Sequence, residues 1–503
     1  MQSNQTALPP DHAEMAPRSA PHIERRLRGW AAGEGPLHAR LASALAAAIE
    51  RGDILPGTRL PPERSLAKAL SVGRSTVVAA YASLARQGLV ARRQGSGTWV
   101  QPVGEYARGR AGELATRAQH RLFAVSSFDD RRDAISFLAA TPGAVEALRD
   151  LSAQAAAEID RISDHHGYWP LGYPPLRQEI ARRFTARGLR TTEAEVLVTT
   201  GGQQAIALTA AAFVGPGAFV VLEDPTYPGA IDAYRQTGAR ILSAPVGPTG
   251  IDLDLLRELL ERAAVKLVYA TPSFQNPTGA VMPRGERHRL AQLASTHGAV
   301  LVEDEAHAEL ALHAAAPLPV AAFADGASVV TIGSLSKVFW GGLRVGWIRA
   351  PQPVLSHLGR LKAILDLGSA LPSQVLAALL LQRADEIIPD RTDELRSRAT
   401  LLGSLVSTLL AGWSFAAPAG GLVLWAKLPH GSASELAEVA RANGVLILPG
   451  SMTSPSGWFD DHVRLPYVAR PEVLEQGVQR LARAWESYGG RDAGLDREVG
   501  VIG

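Results

Sequence analysis

Gly333-Ser334-Leu335-Ser336-Lys337-Val338-Phe339-Trp340-Gly341-Gly342-Leu343-Arg344 is the stretch on which the reading of this chain turns. It continues an apolar run, residues 329–333, of strand length, so the lysine is expected just past a strand end. An amine there, beside two hydroxyls and seven residues before an arginine, suits covalent capture of a phosphorylated aldehyde. The hydroxyls and the guanidinium can hold the phosphate, and Gly341-Gly342 admits it close to the backbone. A lone lysine after a strand is more commonly a surface charge. The ordered set of partners upstream sets this one apart.

Working upstream, Glu303-Asp304-Glu305-Ala306-His307 closes the apolar run 300–303. A carboxylate at that point can keep a pyridine nitrogen protonated and so make the ring an electron sink. Gln275-Asn276-Pro277-Thr278-Gly279 follows residues 267–270 and brings an amide donor. Asp224-Pro225-Thr226-Tyr227 follows residues 219–223 and can lay a ring on a flat ligand. Thr200-Gly201-Gly202-Gln203-Gln204 joins the run 196–200 to an apolar helix, and a glycine turn at a helix N-terminus offers free N–H groups to a phosphate. Asn276 and Asp304 are 28 residues apart, and Asp304 and Lys337 are 33 apart. Each interval fits one β–α unit, so all three groups are expected at one edge of a mostly parallel sheet, where open α/β folds bind ligands.

This set resembles the fold-type I aminotransferases, which use pyridoxal 5′-phosphate, over residues 134 to about 485. The resemblance implies an α/β body with a smaller α+β domain. It makes Lys337 the Schiff-base lysine, Asp304 the pyridine-nitrogen partner and Asn276 the phenolate donor, with Tyr227 stacked on the ring. Gly202, Gln203, Ser334, Ser336 and Arg344 then hold the phosphate, and Arg464, in Val463-Arg464-Leu465, grips a substrate carboxylate through a bidentate fork. Three departures stand out. His307 occupies the place of a tyrosine that bonds the phenolate, which retunes the cofactor. His165-His166-Gly167-Tyr168-Trp169-Pro170-Leu171-Gly172 stands where the family has a Tyr-Gly-Asp-Pro-like run, and a one-residue shift makes Tyr168 the tyrosine that reaches across to a partner subunit's substrate site. Residues 137–150 match the segment lining the substrate pocket only loosely.

The charge is unevenly divided. Residues 1–100 hold 13 Lys/Arg against 7 Asp/Glu, and the rest 38 against 42, so a basic module precedes a mildly acidic body. That split suggests nucleic acid for the first and a small ligand for the second. From Pro36 the pattern is helical, with Leu37, Leu41, Leu45 and Ile49 on one face. A short helix is expected from Pro62 to about Leu70, then one over residues 74–86 with Val77, Tyr81 and Leu84 inward. Two short β-like pieces, 89–91 and 98–100, flank Arg92-Arg93-Gln94-Gly95-Ser96-Gly97. Three helices and a hairpin make a winged helix-turn-helix, a mostly helical domain. Arg74, Ser75 and Thr76 open the reading helix, Arg64 and Lys68 can fix phosphates, and Arg92, Arg93 and Gly95 form the wing tip. Residues 60–100 resemble the winged helix-turn-helix of the GntR regulators, with Pro62 and Gly73 where that family often has Ser.

The expected domains are a mobile arm (1–35), the DNA-binding domain (36–100), a linker (101–133) with one helical stretch near 111–121, the aminotransferase-like body (134–487) and a loose tail (488–503). From about Pro389 the helices are expected to lengthen. Zero cysteines exclude disulfides, thiolate metal sites and cysteine nucleophiles, and no metal site is expected. Residues 1–30 lack the apolar core of a secretory signal, and the uncharged run 205–222 is broken by Gly215-Pro216-Gly217, so no membrane span and a cytoplasmic location are expected. A GntR-like reader joined to an aminotransferase-like body resembles the MocR subfamily of bacterial regulators. What that resemblance implies is a regulator that binds double-stranded operator DNA, senses pyridoxal phosphate, an amino compound bound to it, or both, and forms head-to-tail, domain-swapped homodimers. The alternative is an active aminotransferase carrying a DNA-binding module, and residual transaminase activity is compatible with either.

Overall fold

A computed structural model of the chain describes residues 36–50, 58–86, 89–93, 97–100, 133–324 and 328–498, with Leu27, Trp30 and Ile54 besides. The chain divides into two units, Met1–Ala118 and Gln119–Gly503. The expected arm, linker and the helical stretch near 111–121 lie outside the described residues, apart from Leu27, Trp30 and Asp133.

In the first unit, helices α1 (Leu37–Glu50), α2 (Glu63–Ala69) and α3 (Arg74–Arg86) precede a hairpin of β1 (Val90–Arg93) and β2 (Gly97–Val100). Leu41, Leu45 and Ile49 of α1 meet Leu66 of α2 and Val77, Tyr81 and Leu84 of α3 in one apolar core. Burying each such side chain stabilises by about 1.5–3 kcal/mol. The buried Tyr81 hydroxyl donates to the Pro61 carbonyl at 2.8 Å, which satisfies it and ties α3 to the start of α2. Leu37 departs from the expected stripe and is 43% exposed, because a first-turn residue projects beyond the face that α3 covers. Residues 58–60 line the hairpin as a third edge: Leu60 N–H donates to Thr98 O and Val100 N–H to Thr58 O.

The second unit opens with the short strand β3 (Ile135–Ser136). A central sheet follows from β4 (Val196–Thr199), β5 (Phe219–Asp224), β6 (Arg240–Gly247), β7 (Gly250–Ile251), β8 (Val265–Ala270), β9 (Val300–Asp304), β10 (Val329–Ser334) and β11 (Gly346–Arg349). Their spatial order is β4-β11-β10-β9-β8-β5-β6-β7. The pairs from β6 through β10 are parallel, whereas β11 runs antiparallel to both its neighbours. Strands buried on both faces read as continuous apolar runs, and Leu222, Leu267, Val302, Val330 and Ile332 join helix residues Ala205, Ile206 and Leu208 in the core.

A smaller sheet, β12 (Ser414–Phe415), β13 (Val423–Lys427), β16 (His462–Pro466) and β15 (Leu448–Pro449) in spatial order, forms the α+β part, with β14 (Val445–Leu446) paired to β3. Helix Ala433–Ala442 starts where Ser432 Oγ accepts the Glu435 N–H at 3.2 Å. The helices lengthen as expected, in a helix that begins at Ala384 and runs through Pro389 to Leu409. One expectation is corrected here. The loose tail is helical up to Glu498, because helix Pro471–Glu498 continues past Tyr488, whose hydroxyl donates to Glu435 and accepts from Ser432 N–H. Among the described residues, no helix is long and apolar enough to cross a membrane, and no cluster of His, Asp and Glu could hold a metal ion.

Candidate functional site

The carboxyl ends of β4, β5, β8, β9 and β10 open into a cavity of about 470 Å³. Gly202, Gln203, Tyr227, Asn276, Asp304, His307, Ser334, Ser336, Lys337, Arg344 and Arg464 all line it. Parallel strands deliver these groups because each ends at the same edge, and Arg464 comes from β16 of the smaller sheet.

Lys337 lies one turn beyond β10. Its Nζ donates to the Ala140 carbonyl at 2.9 Å and to Thr141 Oγ1 at 3.2 Å. Burial pushes the amine down to about 8, with Arg464 and Arg344 adding repulsion against the opposing pull of Asp304. Asp304 is buried at the end of β9, which raises its pKa. Its Oδ2 accepts the Tyr269 hydroxyl at 2.6 Å and its Oδ1 the Ala306 N–H at 2.9 Å, so the carboxylate is fixed on both sides.

His307 sits 33 residues from Phe274 in sequence, and its Nδ1 lies 3.2 Å from the Phe274 carbonyl oxygen. A carbonyl only accepts, so Nδ1 carries the proton. Burial pushes this ring down to about 4 and keeps it neutral. The contact pins the loop bearing Asn276. Tyr227 precedes helix Pro228–Gln236, and burial pushes its phenol up to about 12. Arg464 is buried on β16, donates to the Leu138 carbonyl, and is pushed down to about 10 by burial.

Arg344 adopts the left-handed conformation at φ 52° and donates to the Thr200 carbonyl at 2.8 Å. Gly201, at φ +99°, passes so close that a Cβ there would meet the Arg344 guanidinium at 2.8 Å. A Cβ on Gly346 would stand 2.6 Å from the Gly201 carbonyl carbon. Helix Gly202–Phe213 begins at this backbone cradle and points its N-terminus into it. Gln203 turns its amide away, donating to the Gly229 carbonyl at 3.0 Å.

Buried polar atoms of the wall that lack a hydrogen-bond partner among the described residues include Asn276 Oδ1, Ser336 Oγ, Gln203 Oε1, Thr271 Oγ1 and Arg464 Nε. Orphaned buried polar atoms are costly and imply a ligand or water that satisfies them. A phosphate at the cradle, an aldehyde within reach of Lys337 and a ring nitrogen facing Asp304 would match the donors and acceptors present.

Tyr168 is not among the cavity's lining residues and is 60% exposed. Sequence reasoning did not single out Tyr269, Thr141, Ala140 or the Phe274 carbonyl, whose roles depend on neighbours far away in sequence. On the first unit, Arg64, Lys68, Arg74 and Ser75 are exposed and Thr76 is half-buried. Arg92 and Arg93 pair in β1 with Thr98 and Gly97, while their side chains and Gly95 lie outside the described residues.

The aminotransferase class I and II family matches residues 109–481, and the bacterial regulatory proteins of the gntR family match residues 37–100. The HTH-type transcriptional regulator TauR of Rhodobacter capsulatus is 29% identical over 90% of this chain and 97% of its own length. The probable rhizopine catabolism regulatory protein MocR of Rhizobium meliloti is 32% identical over 69% of this chain and 71% of its own. The crystal structure of LysN, the alpha-aminoadipate aminotransferase of Thermus thermophilus complexed with N-(5′-phosphopyridoxyl)-L-leucine, superposes at a TM-score of 0.68. It is 34% identical and covers 76% of this chain and 98% of that one.

Proposed function

The chain belongs to the aminotransferase class I and II family, and on that premise we propose that it is a pyridoxal 5′-phosphate-dependent regulator of transcription of the MocR type, whose aminotransferase-like body senses an amino compound. The observation that carries this reading is the union of a gntR-family DNA-binding module with the body in one chain, a union that aligns with TauR over nearly the whole of both proteins.

Pyridoxal 5′-phosphate supplies an aldehyde that captures amines and a ring that withdraws electrons from them. Lys337 would hold it covalently, with Ala140 O and Thr141 Oγ1 orienting the amine beforehand. Ser334, Ser336, Arg344 and the first N–H groups of helix Gly202–Phe213 would bind its phosphate. Asp304 would keep a proton on the ring nitrogen, its charge oriented by Tyr269. Asn276 and Tyr227 would flank the ring, and Arg464 would take the carboxylate of an incoming amino compound.

The effector acts by binding one state of the body more tightly than another, since a ligand shifts an equilibrium only by its differential affinity. Exposed Tyr168, Leu171, Ile364, Leu365 and Leu367 support association with a second copy, which would bring Tyr168 to the partner's cavity. A head-to-tail, domain-swapped homodimer in a cytoplasmic setting completes the reading.

The test titrates operator DNA with the loaded protein, with and without amines found to shift its melting temperature. A wild type whose DNA binding ignores every such amine defeats the sensor reading. The full set of reactive groups in the cavity favours a second reading, an active aminotransferase, and sustained turnover with an α-keto acid acceptor would establish it.

A further inference from the structure

Glu223 is fully buried at the end of β5, yet among the described residues no basic side chain bonds it. Its Oε1 accepts the Thr271 N–H at 3.0 Å and its Oε2 the Gln275 Nε2 at 3.1 Å. The same Gln275 Nε2 donates to the Pro225 carbonyl at 2.7 Å, and Gln275 Oε1 accepts from the Thr278 N–H at 3.0 Å and its hydroxyl at 2.8 Å. Neither Glu223 nor Gln275 lines the cavity. The ladder between β5 and β8 ends at Leu222 opposite Tyr269, so these side chains take over where the strands stop pairing. Beyond that point one loop carries Tyr227 and the other Asn276.

Burying a carboxyl group is costly, and this one is pushed up to about 7. An apolar residue would fill the space without that cost. What a carboxylate alone brings is two oxygens that accept at once, one from each anchor of the Asn276 loop. We propose that Glu223 and Gln275 are positioning residues that clamp the Tyr227 and Asn276 loops at a fixed separation across the cofactor cavity. This rests on the reading that the cavity holds pyridoxal 5′-phosphate. In Glu223→Gln an amide NH₂ must face either the Thr271 N–H or the Gln275 NH₂, donor against donor, so one anchor opens while volume is kept.

The experiment compares full-length wild type, Glu223→Gln, Glu223→Ala and Glu303→Gln, each titrated with pyridoxal 5′-phosphate. Its readouts are the cofactor absorbance spectrum across pH, the apparent Kd and the melting temperature. Glu303 is equally buried and bonds the Val320 and Ala321 N–H groups and the Thr331 hydroxyl rather than either cavity loop, so it controls for loss of a buried carboxylate. The expected result is an apparent Kd raised about tenfold and a shifted spectral midpoint in Glu223→Gln, with more in Glu223→Ala. Glu303→Gln is expected to change the melting temperature alone. Unaltered spectra and Kd in Glu223→Gln, or equal shifts in Glu223→Gln and Glu303→Gln, overturn the proposal. A wild type that takes up no pyridoxal 5′-phosphate overturns the cofactor reading and the clamp with it.

Discussion

In the first unit the groups proposed to meet DNA stand at the surface, with Arg64, Lys68, Arg74 and Ser75 all exposed over a separate apolar core. In the second unit Asp304, His307 and Arg464 are buried, and each shares a hydrogen bond with a distant segment. Exposed charge attracts through screened fields and is tuned by salt. Buried charge is tuned by protonation and geometry. Salt should therefore disable the first unit and leave the second working, and a change at one lysine should do the reverse.

The largest effect is expected from Lys337→Ala, which removes the amine proposed to hold the cofactor. Borohydride trapping followed by mass spectrometry should find the adduct on Lys337 in wild type and none in the variant, while DNA affinity stays within about twofold. An adduct on another lysine would break the comparison at its buried end. Next, raising salt from about 50 to 200 mM should lower DNA affinity about 10²–10³-fold, as expected if about five phosphate contacts release counterions. Cofactor uptake should change less than about twofold over that range, and a flat DNA response would break the comparison at its exposed end.

Arg74→Ala should weaken specific binding by about 1–3 kcal/mol if the side chain reads a base edge, measured against a scrambled duplex. Equal loss on both duplexes would make Arg74 a phosphate contact. Smallest is the pH effect on cofactor uptake. With the Lys337 amine held near 8 instead of its ordinary 10.5, the uptake rate should rise about fivefold from pH 7 to 8 and level off above. The unfolded chain binds this proton more tightly, so the contribution of Lys337 to stability rises with pH between about 8 and 10.5 and is lowest below 8. A midpoint above 10 in stopped-flow absorbance would refute the burial argument.

The strands that end in the cavity were legible because parallel strands covered on both faces leave unbroken apolar runs. β6 and β11 were not: Arg240–Gly247 is only half-buried and carries a proline, and Gly346–Arg349 is four residues that begin with glycine. The residues reaching the cavity were legible as motifs at strand ends. Tyr269 and Glu223 lie inside strands, and what they hold is 35 and 48 residues away, a pairing that only the sheet order creates. Leu37 and the C-terminal helix show the opposite failure, where local pattern misjudged how far packing extends.

The glycine pair at 201 and 346 has a consequence for how such a protein drifts over generations. A side chain on Gly346 would run into the Gly201 backbone and the Gly333 carbonyl, and one on Gly201, at φ +99°, would run into the Arg344 guanidinium. A substitution at Gly346 cannot be relieved by shrinking Gly201, which has no side chain to lose, and one at Gly201 must both displace Arg344 and hold a positive φ. The anion cradle is therefore inherited whole or abandoned whole. A descendant that ceased to need its cofactor would be free to acquire side chains there, so these two positions record whether a lineage still depends on the ligand.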